Sequence, residues 1–177
     1  MEQFQTEKEK LQSILFNMNS ERNYWFIRTM SGRLYDEFYQ ENYVAIGHDG
    51  ILMRDLQDLS DKEGAAREQL KLKLTDKEPD LTPAKRAKAA GQMLKFYREA
   101  KEGDVVVIPS SNSDKFAIGK FVGEMYEDSS VHVDGSCPFV KRRAVKWLTE
   151  ISRYQFDPNL LLCLGNQQTM SSISSHA

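Results

Sequence analysis

Seven aromatic residues, Tyr24, Trp25, Phe26, Tyr35, Phe38, Tyr39 and Tyr43, fall within twenty consecutive positions, and Phe96, Tyr97, Tyr126 and Trp147 follow later. Rings in such number either fill a core or wall a pocket that sandwiches a flat ligand. A nucleobase is the flat ligand met most often beside Lys and Arg, and each stacked base contributes about 1–3 kcal/mol. Pro109, leaving a predicted strand into Ser110, Ser111 and Asn112, adds small hydrogen-bonding groups of the kind that reading a base edge requires. Composition alone leaves both readings open.

Constellations for catalysis are missing from the pattern. His48, His132 and His176 are far apart and share no ligand spacing with Cys137 or Cys163, so no metal site is expected. Gly47-His48-Asp49-Gly50 has neither the lysine nor the helix-opening context of a phosphate loop. The one Glu-x-Lys, Glu99-Ala100-Lys101, lies inside a predicted helix, not on a strand as nuclease carboxylates would. A cysteine near an apolar run reads as a core residue, although spacing leaves a Cys/His nucleophile open. The expectation is a binding module that needs no cofactor, not an enzyme.

Charge narrows the class of partner. A net charge of −2 argues against coating nucleic acid by charge alone. The distribution is uneven, however: Pro83 to Lys101 carries six Lys/Arg against one Glu, and Lys141 to Arg153 carries five against one. Such runs are either solvated faces or phosphate contacts, and Arg142, Arg143 and Lys146 are the candidates for the second role. Acid collects in the first ten residues and between Asp55 and Asp80. No apolar run approaches the roughly 20 residues of a membrane span, and MEQFQTEKEK lacks the apolar core of a secretory signal, so a cytoplasmic protein without a membrane partner is expected. Two cysteines imply no disulfide framework.

These side chains need elements to hold them. Leu11, Ile14, Leu15 and Met18 recur at helical spacing, which predicts an N-terminal helix within residues 1–22. In NYWFIRT, read as a strand, Tyr24, Phe26 and Arg28 face one way and Trp25, Ile27 and Thr29 the other. Both faces are aromatic, so the strand is covered on both sides or keeps one face for a ligand. Further predictions are a helix over LYDEFYQEN, a strand over YVAIGHDG and a charged helix from Asp61 to Leu74. A helix capped by Thr82 with Pro83 in its first turn follows, its polar stripe made of Lys85, Lys88, Gln92, Lys95 and Glu99. Two strands flank the Ser110–Asp114 loop, another covers RRAVKWLTEIS, and a short helix spans Asn159 to Leu164. Glycine-interrupted strands with helices between them indicate one α+β domain over residues 23–172, built on a small, strongly bent β-barrel with flanking helices, and a Ser-rich tail at 173–177.

The succession NYWFIRT, YVAIGHDG, AAGQMLKFYREAKEGDVVVIPS, FAIGKFVGEMYED and KRRAVKWL resembles the PUA-like domain of the EVE type, in the version fused to Mrr-type modification-dependent restriction endonucleases. The resemblance runs over about Asn23 to Ser172. Trp25 matches that family's strand-one Trp, Gly47 its Ile-Gly turn, Gly91-Gln92 its helix motif, Asp104 and Pro109 the Gly-Asp strand and its exit, and Trp147 the late Val-x-Trp strand. His48 departs from the pattern, which commonly has Trp there, but His can also stack and hydrogen-bond. The resemblance implies a reader that captures a flipped, often modified, base as the sensor of a restriction or phage-defence system. The expected ligand-binding set is Trp25, Arg28, Gly47, His48, Pro109, Ser110, Ser111 and Trp147, with Trp25 at the pocket and Phe26 in the core. The implied partners are nucleic acid, DNA in preference to RNA, and a nuclease effector domain. The alternatives are a regulatory domain that binds a small nucleotide-like ligand and signals to an effector, and an interaction protein with a ring-rich core.

Overall fold

A computed structural model describes residues 23–130, 135–155 and 168–173. Its centre is a six-stranded mixed sheet in the order β2-β5-β4-β3-β1-β6, made of β1 (Tyr24–Ile27), β2 (Tyr43–Ile46), β3 (Val105–Pro109), β4 (Lys115–Glu127), β5 (Lys141–Ser152) and β6 (Met170–Ser172). Only β1 and β3 pair in parallel; every other neighbour is antiparallel. The sheet curls into a half-barrel, which bears out the expected α+β class and bent sheet. Two register shifts in β4, at Ile118/Gly119 and between Val122 and Tyr126, lie within its long pairing with β5 and bend it. At the first of them a Cβ on Gly119 would overlap the side chains of Val145 and Trp147, so only glycine lets β4 and β5 approach there.

The doubly aromatic β1 is covered on both sides. Tyr24 and Phe26 join Val105, Val107, Phe116, Ile118 and Ile151 in a small cluster. Trp25 and Ile27 face the main core. Burial of four consecutive residues, none more than 6% exposed, is why this short strand shows no polar alternation.

The helices are α1 (Tyr35–Gln40), α2 (Met53–Gln57), α3 (Glu63–Lys77) and α4 (Pro83–Leu94). The start of α4 follows from its sequence: the Thr82 hydroxyl accepts the Lys85 N–H and Pro83 needs no donor there. The helix then widens into a π turn at Lys95–Glu99 before Ala100 turns extended. Relative to expectation, α3 is shifted toward its C-terminal end, and α2 and β6, both short, lacked a readable signal. The helices expected within 1–22 and at Asn159–Leu164 lie outside the described residues. Among those described, no helix is long and apolar enough to cross a membrane.

Candidate ligand site

A cavity of about 420 Å³ opens between the end of β1, the turn after β2 and the middle of α4. Arg28, Gly47 and His48, three of the residues singled out from sequence, line it together. Its apolar walls are Met30, Ile46, Met93 and Phe139, and Gln92 adds a carboxamide. A volume of this size, apolar walls and few polar groups match the usual anatomy of a small-ligand pocket.

Gln92 is the residue that packing does not account for. It is 7% exposed, yet its Nε2 donor has no hydrogen-bond partner among the described residues. Leaving a buried donor unpaired costs about 1–3 kcal/mol. Spacing alone puts Gln92 on a solvated stripe; in the fold, that stripe turns inward at this point. A signal is present, since the positions three before and four after it, Ala89 and Phe96, are both buried and share its side of the helix.

Backbone strain gathers at the same place. Six non-glycine residues among those described have positive φ, and three of them, Met30 (52°), Ser31 (58°) and His48 (64°), line the cavity. A left-handed residue other than glycine costs about 1–2 kcal/mol, and such costs concentrate where a binding wall must be held in shape. The holding contacts are visible. A Cβ on Gly32, at φ 91°, would overlap the Ser111 backbone, so the Met30–Gly32 turn rests directly on the loop after β3. The Thr29 hydroxyl donates to the Pro109 carbonyl at 2.6 Å, and the Arg28 N–H donates to the Thr169 carbonyl at 2.9 Å.

Across the cavity, His48 Nδ1 lies 2.8 Å from Glu78 Oε2. Beneath the loop, the fully buried Lys141 ammonium donates to the carbonyls of His48 (2.7 Å) and Ile51 (2.9 Å) and stands 3.5 Å from Asp49. Burial pushes this lysine below its ordinary pKa, while the Asp49 carboxylate works in the other direction. Asp49 also accepts the Val140 N–H at 3.2 Å, and the Arg142 Nε donates to the Phe139 carbonyl at 3.1 Å. The Phe139 ring is thereby kept against Gly47, where a Cβ would stand 3.2 Å from it.

Several expectations need correction. Trp25 is 2% exposed and its Nε1 donates to Asp104 in the main core, so it offers no stacking surface. Arg143 is 2% exposed; it lies between the Phe96 and Phe121 rings and donates to the carbonyls of Phe96, Ala100 and Gly123, an arrangement that leaves no guanidinium face for phosphate. Arg142, 8% exposed, pairs with Asp128 at 2.6 Å and covers the Tyr43 ring. Neighbours on one strand, the two arginines point to opposite faces and both are consumed by packing. Trp147 is half-buried against Tyr39, donates to the Phe38 carbonyl, and ties α1 to β5 away from the cavity. Pro109, Ser110 and Ser111 support the wall from behind and do not line it: the Ser110 hydroxyl accepts the Lys115 N–H and closes its own loop. Lys146 alone of the three phosphate candidates is exposed.

A family profile described as Domain of unknown function (DUF8426) matches residues 25–175. The chain belongs to DUF8426. No curated protein matches it. The match takes in every strand of the DUF8426 half-barrel and all residues that line the cavity.

Proposed function

We propose that this DUF8426 domain is a PUA-like reader that captures a flipped, modified base of DNA in the Gln92 cavity. The observation that carries the reading is the unpaired Gln92 donor among the apolar walls of Met30, Met93 and Phe139. A base has the flat faces for the walls and the polar edge for the carboxamide. Extrusion is least costly where a base is damaged, modified or unpaired, so ease of flipping and fit would select together. Lys146 lies directly opposite Lys120 across β4 and β5, an unfavourable pairing that a phosphate between them would relieve.

The role is recognition. The chain should leave a bound duplex uncut with Mg²⁺ or Mn²⁺, with cleavage supplied by a fused or partner nuclease in a restriction or defence system. A second reading, a regulatory domain for a small nucleotide-like ligand, has one observation in its favour: through Glu78, a ligand against His48 touches the end of α3. Titration of short duplexes, each with one modified base, tests the first reading. One modification should bind at least about tenfold tighter than its unmodified parent, and Phe139→Ala should remove the difference. Uniform binding across the panel, or tight binding of free nucleotides alone, would reject it.

A further inference from the structure

We infer that the captured ligand presents a hydrogen-bond donor to His48 and an acceptor to Gln92, which is the pattern along the Watson–Crick edge of a base. The inference rests on the base-capture function proposed for this cavity and makes these two residues its specificity determinants.

Glu78 decides the first half. An ionised carboxylate can only accept, so the proton of the 2.8 Å contact sits on His48 Nδ1, and the neutral ring carries a bare lone pair at Nε2. No hydrogen bond to Nε2 is found among the described residues. The ring cannot exchange its nitrogens without losing Glu78, and the backbone beneath it is held in the left-handed region, with Lys141 on the carbonyls of His48 and Ile51. Gln92 decides the second half, since its buried Nε2 asks for an acceptor.

These two demands discriminate between chemical classes. A phosphate or carboxylate offers only acceptors, so it would satisfy Gln92 and face the His48 lone pair unfavourably; an ammonium group has the opposite defect. A lactam or amidine edge, as in thymine, cytosine or adenine, has a donor and an acceptor in one rigid plane. Its two faces remain available to Phe139 and the methionines.

The test uses short duplexes with one unpaired adenine, cytosine, thymine or hypoxanthine opposite an abasic site, where extrusion is cheapest. Each is compared with its edge-blocked form: N6,N6-dimethyladenine, N4,N4-dimethylcytosine, 3-methylthymine or 1-methylhypoxanthine. Blocking should weaken the best-bound base by about tenfold or more. His48→Asn tolerates the left-handed backbone and has a side chain that both donates and accepts, so it should reduce that ratio below about threefold. In the unmutated protein, the ¹⁵N resonance of His48 Nε2 should move on addition of the unblocked duplex and stay in place with the blocked one. Equal affinity for blocked and unblocked forms, with Phe139→Ala abolishing both, would overturn the edge assignment and leave the base-capture reading standing. Failure of every base to bind would overturn both.

Discussion

Trp25 and Asp104, 79 residues apart, meet inside the main core, where the indole Nε1 donates to Oδ2 at 2.8 Å. Asp104 also accepts the backbone N–H of Lys101 at 2.9 Å and of Asn23 at 3.2 Å, so one carboxylate fastens the start of β1 beside the start of β3. Asp104→Ala leaves these donors without their acceptor and should cost about 3–5 kcal/mol in urea denaturation. Trp25→Phe should cost about 1–3 kcal/mol and leave the affinity of the folded protein unchanged; a selective loss of affinity would return Trp25 to the site.

Gln92→Leu should have the opposite signature. It removes an unpaired buried donor, so the melting temperature should rise by the equivalent of about 1 kcal/mol while base binding falls below detection. A variant that binds normally would take Gln92 out of the site.

The arginines and lysines of β5 should separate in salt titrations. Arg143→Ala abandons three carbonyls and a cavity between two rings, and should destabilise the fold by about 3–5 kcal/mol. Neutralising Lys120 and Lys146 should leave stability nearly unchanged. It should also flatten the slope of log affinity against log salt by about 0.9 for each phosphate that the protein no longer neutralises.

Asp55 predicts an acid limb. Burial raises its pKa, but the bonds from Lys77, the Leu52 N–H and Lys73 outweigh burial and hold it at about 2, below the ordinary 3.8. A depressed carboxyl stabilises the fold above its unfolded value and loses that contribution as pH falls through the folded one. About 1–2 kcal/mol should therefore disappear between about pH 4 and pH 2. Asp55→Asn should be less stable at neutral pH, and its stability profile should lack this component; an unaltered acid limb would show that the pair with Lys77 carries no free energy.

Residues whose surroundings are their own sequence neighbours could be read in advance. Thr82-Pro83 begins a helix because cap and first turn are adjacent, and the alternation of Val145 and Trp147 against Lys146 and Leu148 marks the inner and outer sides of β5. Arg28, Gly47 and His48 converge on one cavity as expected because each sits at a strand end of the same bent sheet. The misread residues have partners remote in sequence. Asp104 makes Trp25 a buried donor, three distant carbonyls absorb Arg143, and Phe139 closes the cavity from a segment whose sequence carries no periodic signal. Charge and aromaticity state what a side chain can do; the long-range register decides whether it is free to do it.

The parallel pairing of β1 with β3, Tyr24 beside Val105, also sets an order of events during synthesis. At about 5–20 residues per second, the ribosome completes Val105 some 4–16 s after Tyr24. Throughout that interval, Tyr24-Trp25-Phe26-Ile27 has left the peptidyl-transferase centre without the strand that will cover it. Four apolar residues in an unpaired extended segment form a short-lived chaperone-binding and aggregation-prone motif. Slower elongation between β1 and β3 should therefore lower the soluble yield of this chain, and moving β1 closer to β3 by circular permutation should restore it.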